Sequence, residues 1–189
     1  LSDAGVSVFF MAGNRDFLIG HQLAQKCGFE IIEEPYIETI NGQKTLLMHG
    51  DTLCTDDIEY QKFRDMVRNK DWQQQILAKP LKEREQIAQS IRQKSEYANA
   101  EKDLEIMDVN QDAVIKTMQS HAVKLLIHGH THRPAIHEFE IKGGAVKRIV
   151  LSDWHETGSY IRITENSTAE LITSDDKDNG EVKEDEDWV

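Results

Sequence analysis

Leu125-Leu126-Ile127-His128-Gly129-His130-Thr131-His132-Arg133-Pro134 is the stretch from which the rest of the chain is read. An apolar run predicts a short buried strand, and Pro134 predicts a rigid turn after it. Histidines stand at every second position between them. Gly129 lets the backbone pass close to a bulky or charged group. Neutral imidazole is the commonest protein metal ligand. Two histidines one residue apart can both face a metal centre only if the backbone between them forms a sharp loop, which this composition permits. A single histidine at a strand end is more often a hydrogen-bonded polar tip. The triple pattern favours metal chemistry because two other stretches converge on it.

Both stretches are apolar strands running into polar loops. Val6–Ala12 leads into Gly13-Asn14-Arg15-Asp16, and Gln43–Met48 leads into His49-Gly50-Asp51-Thr52. In α/β sheets, ligands bind beyond the carboxyl ends of strands. If these strands are neighbours, Asn14, His49, His130 and His132 can meet. An amide oxygen with imidazoles suits Mn²⁺, Fe²⁺ or Zn²⁺. The only cysteines, Cys27 and Cys54, make neither a zinc ribbon nor a disulfide framework. A paired-metal site binds phosphate and activates water for in-line attack. Arg15 is placed to hold a phosphoryl oxygen by charge-assisted hydrogen bonds. Taken one at a time, Asn14 reads as a turn residue, His49 as a strand-end histidine and Asp51 as a turn cap.

The flanks read as mixed α/β. A helix is expected over Phe17–Lys26, and strands over Phe29–Glu33 and Tyr36–Ile40. Asn41-Gly42 signals a hairpin into Gln43–Met48. From Asp56 to Gln119 the spacing turns helical, interrupted at Pro80, with Leu81–Ala98 rich in helix formers. Asp108 or Asn110 is a candidate cap for a last helix. Lys124–Ile127, Ile136–Ile141, Val146–Leu151, Tyr160–Thr164 and Ala169–Thr173 read as late strands.

The 189 residues carry a net charge of −12 and 39% apolar residues, as expected of a globular protein with a polar bias. Residues 174–189 hold eight acids against Lys177 and Lys183, which predicts a disordered acidic tail. Residues 58–102 hold ten Lys or Arg against seven Asp or Glu. The overall acidity argues against a general nucleic-acid binder. No membrane-span-length apolar run and no secretory leader are visible, so a cytoplasmic location is expected.

Gly13–Leu18, Met48–Asp57, Ile106–Gln111 and His128–Pro134 together resemble the calcineurin-like metallophosphoesterases, and among them the UDP-2,3-diacylglucosamine diphosphatases. The likeness runs from about Gly5 to Thr173 and leaves the acidic tail outside. It implies an α/β metallophosphoesterase sandwich, with core residues 1–57 and 104–173 and a helical lid insertion over 58–103. The implied reaction is hydrolysis of UDP-2,3-diacylglucosamine to UMP and 2,3-diacylglucosamine 1-phosphate (lipid X), in lipid A biosynthesis, by water activated at two Mn²⁺ ions. Asn14, His49 and His130 match ligands of the second metal, and His132 matches a ligand of the first. Asn14, Arg15, Asp57, Ser95, Asn99, Lys102 and His130 match substrate-contacting positions, with Arg15 and His130 the catalytic candidates. His128 matches no ligand and is expected to support the site. The lid is expected to receive acyl chains, at the cytoplasmic face of a bacterial inner membrane.

The sequence departs from the family pattern in two places. The family's first motifs, Asp-x-His and Gly-Asp on its first two strands, have no counterpart. The expectation is a domain incomplete at its N-terminus, in which the first metal keeps only His132 and the chain alone is inactive. Ser152 also replaces a usual glycine. Two other functions are open: a metallophosphoesterase acting on another nucleotide diphosphate, and a metal-poor scaffold that binds a partner.

Overall fold

The computed structural model describes residues 1–98 in full, the backbone of 99–100, and residues 102–103, 106–154, 158–165 and 169–173. The acidic tail and the side chain of Asn99 lie outside the described residues. The central sheet has five strands in the order β3-β4-β5-β7-β6, comprising Tyr36–Ile40, Gln43–Met48, Leu125–His128, Gly144–Val150 and Ala135–Ile141 respectively. Its three inner strands are parallel, and each edge is an antiparallel hairpin.

Each face of this sheet has its own cover, and the period of two decides which side chain goes where. Leu46 and Met48 of β4, with Leu126 of β5, pack against Val114 and Met118 of helix α5 (Gln111–Ser120). Leu125, Ile127 and Ile149 point the other way. They meet Ile161, Ile163 and Leu171 of the hairpin β8–β9 (Ser159–Ile163 and Ala169–Thr173). Covered on both sides, β5 is buried at all four residues, as its apolar run predicts. Asn110, rather than Asp108, caps α5 by accepting the N–H of Ala113 at 3.1 Å. Asp108 pairs with Arg133 instead, at 2.5 Å.

The N-terminal part departs from its reading. The first strand, β1, spans only Phe9–Met11, and it pairs in parallel with β2 (Glu30–Ile32) in a separate two-stranded sheet. Helix α1 is His21–Cys27, not Phe17–Lys26. Residues 14–18 are turns, and Phe17 is used in packing: its ring centroid lies 6.1 Å from that of Trp72. Three helices fill the middle of the chain: α2 (Ile58–Arg68), α3 (Lys70–Leu77) and α4 (Leu81–Ala100), with Pro80 between the last two. Asp57 and Asn69 cap α2 and α3 with their side chains.

The end of β5 is anchored from behind. His128 is 1% exposed, and both its ring nitrogens are engaged. Nε2 accepts from Arg148 Nη1 at 3.2 Å, which makes Nδ1 the protonated nitrogen that donates to the Gly129 carbonyl at 2.9 Å. Burial, reinforced by the Arg148 charge, pushes its pKa down to about 4. Gly50 sits against this ring with φ of 108°, and a Cβ there would lie 2.7 Å from His128 Nδ1. Gly50→Ala therefore meets both a forbidden backbone region and a rigid ring, and is expected to cost about 2–4 kcal/mol in chemical denaturation; a loss under ~0.5 kcal/mol would contradict the packing. His128 also sets a pH dependence. Its folded pKa is depressed, so stability complete above about pH 6.5 declines as pH falls toward 4, by up to about 3 kcal/mol from this group. Denaturant titrations between pH 7 and 4.5 should give a shallower decline for His128→Gln than for the wild type, and equal slopes would refute a buried neutral His128.

Candidate metal centre

Parallel pairing brings Met48 opposite His128, so β4 and β5 end level with each other. The next residues, His49 and Gly129, are joined by a 3.0 Å bond from the Gly129 N–H to the His49 carbonyl. The chain then bends sharply. His130 and His132 both lie in the left-handed region, with φ of 65° and 54°. Two non-glycine residues held there cost on the order of 1–3 kcal/mol each, a cost that functional sites commonly retain. This is the sharp loop that alternating ligands require, and it separates the two rings. The ring of His130 stands edge-on to His49 at 4.9 Å between centroids. His132 is more exposed and places Nδ1 3.2 Å from Asp153 Oδ2.

Two buried nitrogens at this point have no hydrogen-bond partner: His49 Nε2 and His130 Nδ1. Burial lowers the pKa of both rings, that of His130 to about 4, so at neutral pH each is uncharged and carries a free lone pair. Unpartnered buried imidazole nitrogens are costly unless something binds them. Asn14 and His130 line one polar cleft of roughly 500 Å³, which places an amide side chain in the same cleft as one of the two rings. Gly13 allows this approach, since a Cβ there would lie 3.0 Å from His49 Cε1. Two neutral imidazoles with unpartnered nitrogens, beside a cleft that Asn14 also lines, are a donor chemistry that fits a borderline divalent cation. Among the described residues, no three His, Cys, Asp or Glu side chains form a complete ligand group.

The remaining site candidates divide between the cleft and its walls. Arg15, His132 and Asp153 line the same cleft, and Arg15 is exposed to it. Asp57 and Lys102 are paired with each other, with Nζ 2.7 Å from both carboxylate oxygens. Ser95, on α4, borders this cleft and also a second, apolar one. Cys54 faces the polar cleft, but burial, with Asp108 nearby, pushes its thiol up to about 12, so it is no nucleophile.

Sequence reasoning missed several participants. The Tyr60 ring lies tilted against that of His130, 5.2 Å between centroids, and its hydroxyl donates to Asp51 Oδ2 at 2.9 Å. Asp51 is fully buried; burial opposes its ionisation, but His49 when protonated, the Arg64 charge and the Tyr60 hydroxyl outweigh this and keep its pKa below the ordinary range. Asp153 is also new as the partner of His132. Nothing in the spacing of Tyr60, Arg64 or Asp153 relative to the histidine motif signals these contacts, which arise only from the packing of α2 and the loop after β7.

Residues 1–134 match the family model of the calcineurin-like phosphoesterases. Relatives named UDP-2,3-diacylglucosamine hydrolase are similar over most of the chain. The Chromohalobacter salexigens protein is 48% identical over 172 residues, 90% of this chain and 70% of its own length. The Escherichia fergusonii protein is 48% identical over 173 residues, 91% of this chain and 71% of its own. The Cellvibrio japonicus protein is 49% identical over 158 residues, 84% and 66% respectively. With its strand-end histidines, buried sheet and polar cleft, the chain belongs to the calcineurin-like phosphoesterase family.

Proposed function

We propose that this protein hydrolyses the diphosphate of UDP-2,3-diacylglucosamine, giving UMP and 2,3-diacylglucosamine 1-phosphate. The observation that carries the lipid substrate is a second cleft beside the polar one. It is about 240 Å³ and predominantly apolar, with Phe63 and Met66 of α2 facing Ile91 and Ala98 of α4. Tyr60 and Ser95 border both clefts. A substrate with a charged diphosphate joined to acyl chains matches that adjacency, whereas a soluble nucleotide would leave the apolar slot unused. We assign the lid role to helices α2–α4 on this basis.

Divalent cations, which we take to be Mn²⁺, would polarise the phosphoryl oxygens and lower the pKa of water at the site. Asn14, His49 and His130 would hold one, and His132 would contribute to another. The chain's own residues do the rest. Arg15 offers a planar pair of donors to a phosphoryl oxygen. Lys102, held by Asp57, brings an ammonium to the apolar cleft beside the polar one, and would turn from that ion pair to the diphosphate as negative charge develops there. Asp153 orients the His132 ring. Neutral His130 presents a lone pair rather than a competing positive charge.

We place the protein in the cytoplasm, peripheral to the inner membrane. No helix among the described residues is long and apolar enough to cross a membrane. Exposed Ile58, Leu77, Leu81 and Tyr97 on the lid helices favour surface contact with lipid.

In the full-length protein, Asn14→Ala or His49→Ala is expected to lower Mn²⁺-dependent UMP release at least ~100-fold, and wild-type rates in either would disprove the site. The lipid assignment has a separate test. Met66→Asp places a charge at the apolar slot and is expected to reduce kcat/KM for the diacyl substrate about 10-fold or more while sparing a water-soluble UDP-sugar analogue. Equal losses on both substrates would favour a nucleotide diphosphate without acyl chains.

A further inference from the structure

Tyr60, Arg64 and Arg68 recur every four residues along α2 and so share one face. Arg68 and Arg64 each reach a different loop of the candidate centre. Arg68 Nη2 donates to the carbonyl oxygens of Ala12 at 2.9 Å and Gly13 at 3.1 Å, the two carbonyls just before Asn14. Its guanidinium also lies 5.9 Å from the centre of the Phe17 ring. Arg64 Nη2 donates to Glu34 Oε1 at 2.7 Å, and its Nε lies 3.1 Å from Asp51 Oδ1. The other oxygen of Glu34 accepts the backbone N–H of His49 at 2.8 Å. One helix face thus grips the loop that carries Asn14 and, through Glu34 and Asp51, the loop that carries His49.

We propose that α2 is the positioning element of the metal centre, with Arg64 and Arg68 holding the Asn14 and His49 loops in register for a divalent cation. This rests on the metal reading given above. The Arg64–Glu34–Asp51 group is largely desolvated, and such charged groups often stabilise a fold no better than apolar side chains of the same size. What the guanidinium adds is geometry, because its rigid plane donates to Glu34 from one arm while holding Nε against the Asp51 carboxylate as an ion pair. Those carboxylates sit on or beside the loop of His49, whose Nε2 is unpartnered. The Ala12 and Gly13 carbonyls are turned toward Arg68, which sets the direction from which Asn14 leaves β1.

The test is Mn²⁺ binding to the full-length protein by isothermal titration calorimetry, with folding checked by circular dichroism. Arg68→Met keeps an apolar stem beside Phe17 and removes the carbonyl clasp. Arg64→Lys keeps the charge and removes the planar guanidinium. Each is expected to weaken Mn²⁺ binding about 10- to 100-fold. Lys62→Met, on the exposed side of α2, should bind as the wild type does. Wild-type affinity in both arginine variants overturns the inference, even if their metal-free unfolding midpoints fall, since that pattern denotes structural support alone. If Arg64→Lys does not fold, Arg68→Met decides by itself. Absence of Mn²⁺ binding in the wild type would sink the metal reading and this inference together, whereas unchanged variants would sink the inference alone.

Discussion

The register between β4 and β5 is the constraint on which the site depends. Pairing Met48 with His128 ends two parallel strands at one level and puts their loops side by side. A slip of one residue would turn every side chain of β5 to the opposite face. Leu126 would leave the α5 side and Ile127 would enter it, so the two cores on either side of the sheet lock the register. Hydrophobic packing, which has no direction of its own, therefore fixes the relative position of His49 and His130 through the period of the strand.

The loop after β5 shows where that packing energy is used. Two successive left-handed excursions at His130 and His132 are unfavourable, and the surroundings hold them in place. The Leu151 N–H donates to the His128 carbonyl at 2.8 Å, the Gly129 N–H donates to His49, and the His128 ring holds the Gly129 carbonyl. Arg148 stands behind His128 on β7, and its buried charge is tolerable because Asp108 lies near and the ring accepts a hydrogen bond from it. The outcome is a divergence of neighbours: His130 turns inward to His49, and His132 turns outward to Asp153.

The parts that were legible in the sequence are those set by local pattern. The strands Tyr36–Ile40, Gln43–Met48 and Ala169–Thr173 follow from alternation and from Asn41-Gly42, and their bounds agree with the structure. The meeting of His49 with His130 was legible because an apolar strand running into a polar loop marks the same end of a sheet each time. The start of α1 was not, because Phe17 is apolar for a tertiary reason, its packing on Trp72. Nor was the Glu34–Arg64–Asp51 network. Glu34 lies in a connection before Pro35 and Arg64 lies on a helix 30 residues later, and no periodicity links a loop carboxylate to a helical guanidinium.

Two clefts of opposite character meet at Tyr60, and this follows from the amphipathic layout of α2. Its Tyr60, Arg64 and Arg68 face the loops at the strand ends, while Phe63 and Met66 face α4. A helix turns 100° per residue, so positions 60, 64 and 68 drift slowly around the axis while 63 and 66 sit on the neighbouring flank. The polar flank needs partners with fixed directions, and the strand-end loops supply them as carbonyls and carboxylates. The apolar flank needs only a dry neighbour, which α4 supplies incompletely, leaving the slot. Tyr60 belongs to both because its ring is apolar and its hydroxyl is not: the ring lines the slot and leans against His130, and the hydroxyl reaches Asp51. One amphipathic side chain thus marks the boundary across which a molecule half charged and half apolar would have to lie.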